Sequence, residues 1–314
     1  MLFDVGLVVR DIRKSKNLKS SYVYEGILSR QASCNFEKGL NDTTVKKFFI
    51  ILERLNISIE EFHIALSKNN TSQFELFGEI SKHFYKNDVN GLEKMMFEME
   101  KKYANNENVR FLHYKIMIHQ IINTINNKKH AEDFDVLRNY LVNCNSWGYY
   151  EITLFGNCIN FFSQEFIDTV YYRVKKNLNQ IQYCNRYTNE FAKILLNIIF
   201  LSIKKGDYEH AKKYLVEYNT LIFSLENDTY YKMMRKFYNS LMDVLYRQKN
   251  TFEELENVLN ILEFLELHNR KKQCISLLES LNFKITSNLT EKGNVYKIQQ
   301  SLFRPSQISA DLQR

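Results

Sequence analysis

Apolar residues recur at helical spacing from the first turns of the chain. Leu2, Val5, Val8, Val9 and Ile12 share one helix face, with Arg10, Arg13 and Lys14 on the other. Asn17 ends that helix. A second runs from Ser20 to Glu25 and is closed by Gly26. Ser29 is placed as the N-cap of a third, which ends at the C-cap Gly39. Asp42 is expected to cap a fourth helix, Thr43 to Leu55, and Ser58-Ile59-Glu60-Glu61 is a capping box that opens a fifth. The second and third helices, joined by a tight turn, match a helix-turn-helix. A small helical bundle of any kind shows short capped helices too.

Beyond a short linker, 67–72, the pattern changes to longer paired helices over 73–283. Polar turn signals recur at Lys86-Asn87-Asp88, Asn127-Lys128-Lys129, Lys205-Gly206-Asp207 and Lys249-Asn250-Thr251, with a weaker break at Ser163-Gln164. Their spacing of about 40 residues is that of a helical-pair solenoid. The clearest unit is Ala192 to Ile222. Its Gly206-Asp207-Tyr208-Glu209-His210-Ala211 is similar to the second-helix start of a tetratricopeptide repeat. Residues 284–314 are less periodic and are expected to form a terminal cap or a loose tail.

Composition agrees with helices. The chain has 314 residues with 9 Gly and 1 Pro, where usual frequencies give about 22 and 16. Too few breakers remain for the turns of an all-β protein, so the fold class is all-α. The net charge of +7 permits nucleic-acid binding without demanding it. Five scattered cysteines form no CxxC pair, no signal peptide is visible, and the longest apolar stretch, Ile194 to Ile203, is too short to span a bilayer. A cytoplasmic protein with reduced thiols is the expectation. The seven histidines make no HExxH, and GxGxxG and P-loop motifs are absent. The reading is of a protein that is not an enzyme and needs no cofactor or metal. His210, in the repeat turn, is expected at the surface. Cys34 is expected near the outer face of the third helix, and the other cysteines in the core.

Several strings resemble the Rgg/GadR/MutR regulators, cytoplasmic transcription factors of Gram-positive bacteria. In the first domain these are Gly6, Arg10, Ile12, Arg13 and Lys14, then Gly26-Ile27-Leu28-Ser29-Arg30, Phe36-Glu37-Lys38-Gly39 and Leu52 to Phe62. Trp147-Gly148-Tyr149-Tyr150-Glu151-Ile152-Thr153-Leu154-Phe155-Gly156-Asn157 is similar to a hallmark of the family's repeat domain. The resemblance implies a phage-repressor-type helix-turn-helix bundle followed by a tetratricopeptide-like solenoid. It implies a homodimer that binds promoter DNA through its N-terminal domains and holds a short peptide pheromone in a concave groove. It also implies that an arginine of the first helix, with Arg10 the candidate, pairs with Glu37. Ser20, Tyr22 and Tyr24 depart from the family pattern.

The start of a recognition helix meets base edges. Arg30 and Gln31 are the expected base readers, since Arg forks onto guanine and Gln onto adenine. Ser29, Ser33 and Asn35 stand beside them. Lys19, Ser20, Ser21, Thr43, Thr44 and Lys46 suit phosphate contact through hydroxyls, ammonium groups and helix-end N–H groups. With 10 Lys and Arg against 8 Asp and Glu in residues 1–66, one copy should bind weakly, and two copies on two half-sites compensate.

A peptide in a solenoid groove needs partners for its backbone, and Asn both donates and accepts. Thr153, Asn157 and Asn160 form one polar stripe, Asn189, Lys193 and Asn197 a second, Arg235 and Asn239 a third. Phe161, Phe200 and Phe237 are the expected apolar wall. Asn197 is read equally well as a buried Asn bonded to a neighbouring carbonyl, and the stripes as solvated faces. The surplus of Leu between Phe252 and Phe283 (Leu255, Leu259, Leu262, Leu265, Leu277, Leu278, Leu281) is expected to serve dimerisation, unless the last 31 residues cap the array. The alternative function is a helical-repeat scaffold that binds protein and not DNA.

Overall fold

A computed structural model describes residues 4–66, 73–128, 133–178, 185–223, 228–246, 251–290 and 293–300. The turn residues Lys129, Lys249 and Asn250, and Cys184, lie outside them. The chain divides into two compact units, residues 1–96 and 97–314.

The first unit opens with five short helices: α1 (Val5–Ser15), α2 (Ser20–Tyr24), α3 (Arg30–Glu37), α4 (Val45–Arg54) and α5 (Ile59–Leu66). Their core is Val9, Val23, Tyr24, Phe36, Ile51, Leu52, Leu55 and Phe62, each at most 4% exposed. Gly6 lets α1 cross α3 closely, because a Cβ there would stand 1.7 Å from the Phe36 carbonyl oxygen. The capping box forms as expected: Glu61 N–H donates to Ser58 Oγ and Ser58 N–H to the Glu61 carboxylate. The fourth helix starts later than expected. Thr44, not Asp42, is its N-cap, accepting from Lys47 N–H, because it has the extended backbone a cap requires. Lys16 closes the other end of α4 by donating to the carbonyls of Leu55 and Asn56. Helix α6 (Gln73–Tyr85) and the start of α7 (Val89–Asn106) complete this unit.

The second unit continues with α8 (Val109–Ile125), α9 (Phe134–Asn143), α10 (Tyr149–Cys158), a 3-10 turn (Ile159–Phe161), α11 (Gln164–Leu178), α12 (Asn185–Lys204), α13 (Tyr208–Phe223), α14 (Thr229–Leu245), α15 (Glu253–Phe264) and α16 (His268–Ser280). No helix among the described residues is long and apolar enough to cross a membrane.

A chain so poor in Gly still has to end its helices. It does so with Asn: Asn17, Asn56, Asn87, Asn127 and Asn282 all have φ between +51° and +64°. Asn tolerates this left-handed conformation better than other side-chain-bearing residues. At Asn17 the following Leu18 N–H reaches back to the Arg13 carbonyl while Asn17 N–H takes that of Lys14, the paired bonds of a Schellman motif. The same pair recurs at Asn56, Asn87 and Asn127.

In the C-terminal part the start of the tail is a packed hairpin and not loose, and the reading of the leucine surplus is corrected. Phe283–Thr290 (β1) and Gly293–Gln300 (β2) form an antiparallel hairpin, with Ile285 opposite Ile298 and Ser287 opposite Tyr296. It is a small exception in an otherwise helical fold, and it packs on α15 and α16. Phe283, Tyr296 and Ile298 are buried. On α15, Glu256 accepts from Ile298 N–H and Asn260 from Tyr296 N–H, so the outer backbone edge of β2 is occupied by side chains. Glu256 also pairs with Lys297 at 2.8 Å. The leucine surplus has a use within the chain: Leu255, Leu259, Leu262, Leu277 and Leu278 are at most 1% exposed. The apolar residues left outside on this helix pair are Ile261, Phe264 and Leu265, with Phe264 82% exposed.

Candidate functional site

Two regions carry the candidate chemistry. In the first, Gly26 adopts φ +73°, a conformation that a side chain would strain, and turns α2 into α3. The α2 end of this turn is held by Arg54 of α4, whose Nη1 donates to the Tyr22, Val23 and Glu25 carbonyls at 3.4, 3.2 and 2.6 Å. A cation there also complements the carbonyl end of α2.

Ser29 caps α3 by accepting from Ala32 N–H. Arg30 and Gln31 follow, both exposed, with the Gln31 amide 3.4 Å from Asn35 Oδ1. Asn35 is half-buried and Cys34 exposed. Ser33 is turned inward, 4% exposed, and donates to the Arg30 carbonyl, so it is corrected from a base-edge candidate to a packing residue. Lys19, Ser20 and Ser21 are exposed at the start of α2, and Thr44 and Lys46 at the start of α4. Thr43 is half-buried with its hydroxyl enclosed.

The α1–α3 ion pair differs from the expected one. Arg13, not Arg10, forks onto Glu37, Nε to Oε1 at 2.6 Å and Nη2 to Oε2 at 2.7 Å. Arg10 pairs with Asp11 and reaches only the Glu37 backbone carbonyl. The two arginines stand almost one turn apart, and only the second aims at the carboxylate. Tyr24 O–H donates to Glu37 at 2.7 Å, which gives this departure from the family pattern a structural use. Burial pushes the Glu37 carboxyl up, but the bonds from Arg13 and Tyr24 outweigh it and hold the group below the usual carboxylate range.

The second region is a cleft of about 90 Å³ in the second unit. One helix of each successive pair lines it. Asn160 comes from the 3-10 turn after α10, Leu196, Asn197 and Phe200 from α12, Tyr230, Met234 and Tyr238 from α14, and Arg270, Gln273 and Cys274 from α16. Burial pushes the Cys274 thiol up to about 12, so it is an inert part of the wall.

The structure thus brings together Asn160, Asn197 and Phe200 of the expected residues. Asn197 also donates, at 3.4 Å, to the Gly156 carbonyl. The others lie elsewhere. Phe237 is 0% exposed and is corrected to a core residue. Thr153 is 4% exposed and bonds its own helix, donating to the carbonyls of Tyr149 and Tyr150. Asn157 is exposed and donates to the Thr153 carbonyl, and Lys193 pairs with Glu190. Phe161 packs edge-on to Phe134. Asn189 is half-buried, its backbone carbonyl taken by Tyr231 O–H. Asn239 and Asn219 exchange amide bonds at 3.0 and 3.1 Å, and Asn239 also donates to the Arg235 carbonyl. Asn239 therefore serves the α13–α14 contact. The cleft face of α14 is Tyr230, Met234 and Tyr238, an i, i+4, i+8 stripe that is not among the expected groove residues.

The hallmark string is mainly structural. Trp147, Ile152, Leu154 and Phe155 are buried, and Glu151 accepts from Gly148 N–H and from Tyr140 O–H. His210 is corrected from a surface residue. Its side chain is 13% exposed, and its ring bridges Asp168 at 2.9 Å and Ser202 at 2.9 Å, with Tyr214 O–H on Asp168. Asp207 caps the helix start at His210 N–H and so aims the ring back onto α11 and α12. Ser202 is 0% exposed, so this chain of bonds fastens helices and offers no accessible nucleophile.

Residues 93–276 match the family model of the C-terminal domain of the HTH-type transcriptional regulator Rgg. Among solved structures, a Listeria monocytogenes EGD-e protein described as a transcriptional regulator is 22% identical, with a TM-score of 0.76 over 89% of this chain and 98% of that one. The Streptococcus dysgalactiae SHP pheromone receptor Rgg2 is 20% identical, with a TM-score of 0.67 over 88% and 99%. PrgX in its complex with cCF10 is 18% identical, with a TM-score of 0.63 over 94% and 99%. These likenesses support the fold, and the domain match covers more than half of the chain: the protein belongs to the Rgg family of HTH-type transcriptional regulators.

Proposed function

We propose that the protein is a cytoplasmic, promoter-binding homodimer whose DNA affinity is set by a short apolar peptide. DNA binding is assigned to residues 1–66, peptide binding and dimerisation to the helices of 73–283, and capping to the hairpin that follows. The cleft carries the peptide half. It combines amides at Asn160 and Asn197 with the apolar groups of Leu196, Phe200 and Met234, the mixture that small-ligand sites use for orientation and affinity. The SHP pheromone receptor Rgg2 and PrgX, solved in complex with cCF10, share the fold and support the same reading. The peptide acts on DNA binding only through unequal affinity for the DNA-competent form and the other form.

Arg30 and Lys46 test the DNA half. Both are exposed at helix starts, Arg30 on α3 and Lys46 on α4. Arg30→Ala is expected to weaken binding to the protein's own promoter by about 1–3 kcal/mol and to change non-specific binding little. Lys46→Ala is expected to weaken cognate and scrambled DNA alike and to lower the salt slope by roughly one unit. Gel-shift titrations over a range of salt measure both. Equal losses on the two DNAs for Arg30→Ala would restrict it to phosphate contact, and no shift of the promoter at all would favour the scaffold alternative.

The apolar patch of Ile261, Phe264 and Leu265 is assigned to the dimer contact. A neighbouring hollow of about 460 Å³, lined by Val258, Ile261, Phe264 and Lys236 among others, continues it. Phe264→Glu is expected to halve the mass seen by light scattering at micromolar concentration while helicity is retained. An unchanged dimer mass places the contact elsewhere.

A further inference from the structure

Arg270 stands out in the cleft by what it lacks. Its guanidinium has five N–H donors, and its one hydrogen bond among the described residues is to a neutral group, Gln273 Oε1, at 2.9 Å. The Tyr230 ring lies 5.7 Å from the guanidinium carbon and gives stacking, not charge neutralisation. Three lysines of this unit have carboxylates, Lys175 with Glu217, Lys193 with Glu190 and Lys271, next in sequence, with Glu263. Arg110 and Arg173, which among the described residues reach only a ring and a carbonyl, are exposed to solvent and do not line the cleft. No ion pair is formed by Arg270 among the described residues, and the rest of the cleft lining is neutral. The half-buried site therefore holds an uncompensated cation with donors to spare, beside two Asn amides.

Resting on the peptide reading above, we propose that this cleft receives the C-terminal end of the peptide, with Arg270 forking onto the free terminal carboxylate. A planar carboxylate matches the guanidinium fork in two parallel bonds. A volume of about 90 Å³ suits the end of a chain better than an extended segment passing through. Asn160 and Asn197 are placed to hold the last backbone amides. Phe200 and Met234 are placed to receive the terminal apolar side chain.

The experiment is affinity selection on the full-length protein with mass-spectrometric readout. The probe is a pooled synthetic library of apolar eight-residue peptides in three forms: free C-terminal acids, C-terminal amides, and C-terminal amides with one internal Asp or Glu. The wild type is expected to retain the free acids at least tenfold over the plain amides. Arg270→Gln is expected to abolish that preference, and Arg270→Lys to keep part of it. Equal retention of acids and amides by the wild type, or a preference that survives in Arg270→Gln, overturns the proposal and leaves the peptide reading standing. Retention of the internal-acid amides above the free acids overturns the terminal assignment in favour of a side-chain carboxylate. Retention of no form overturns the peptide reading itself. The end-form comparison on the wild type stands even if a variant folds poorly.

Discussion

Glu37→Ala is expected to cost the N-terminal bundle about 3 kcal/mol, the lower end of what breaking a buried ion pair costs. The pair is 14% exposed at Arg13 and 12% at Glu37. Removing the carboxylate leaves the Arg13 fork without its acceptor and the Tyr24 hydroxyl without its own. The remaining Arg13 bond, Nη1 to the Leu18 carbonyl at 2.8 Å, does not neutralise the charge. Urea unfolding of the full chain, read by a probe in residues 1–66, measures the loss. Arg13→Met with Glu37→Leu is expected to recover much of it, because an apolar pair leaves no stranded charge. The acid response follows from the same geometry. The folded-state Glu37 carboxyl lies below its ordinary value of 4.5, so its contribution is complete above that pH and fades as pH falls through the folded-state value. An unchanged midpoint in Glu37→Ala would mean that the cluster is compensated by solvent.

The second large effect is acid sensitivity of the repeat domain through His113. This residue of α8 is 1% exposed, with Nδ1 2.8 Å from the Tyr150 hydroxyl and its ring against Tyr140 at 4.4 Å. Its Nε2 is buried and has no hydrogen-bond partner among the described residues. Burial lowers the imidazole to about 4, against an opposing pull from Glu151. The unfolded chain therefore binds the proton first as pH falls below about 6.5, and folding is penalised increasingly down to the folded-state value. Between pH 7.5 and pH 5 the loss is about 2 kcal/mol by linkage from these two values. His113→Phe is expected to remove that increment. The measured quantity is the change in urea stability between the two pH values, wild type against variant, so that carboxylates common to both cancel. Equal acid losses in the two proteins would assign the sensitivity to other groups.

The parts legible in the sequence are those decided within a few residues. Ser29, the Ser58–Glu61 box and the helix end at Asn17 all act over three to five positions, and each took its expected place. What failed depended on helix phase. Choosing Arg13 over Arg10 requires the rotation of α1 against α3. Choosing Tyr230, Met234 and Tyr238 over Arg235 and Asn239 requires the rotation of α14. Helices this rich in Phe, Tyr and Ile are apolar over much of their circumference, so periodicity marks no single inner face. Phe237 and Thr153 entered the expected groove for that reason. The hairpin is hard to read because Ser287 interrupts the alternation that Phe283, Ile285 and Leu289 make with Lys284, Thr286 and Asn288. Among the described side chains of its two strands, Phe283, Tyr296 and Ile298 are buried. The last of the misses, Arg270, lies in a helix start whose neighbours are Asn269, Lys271 and Lys272, and nothing local separates it from them.

The side chains that occupy the outer edge of β2 have a consequence for how copies of the protein associate. An exposed strand edge offers unpaired amides to any similar strand and has no built-in stopping point, so it recruits chain after chain. Here the Ile298 and Tyr296 amides are taken by Glu256 and Asn260. The Phe264 patch proposed above as the dimer contact differs in kind, because a surface shared by two copies closes once they meet. Glu256 and Asn260, which also fasten the hairpin to α15, thereby leave no free amide at these two positions of the β2 edge. A chain lacking both would be expected to precipitate on concentration before it lost its helices.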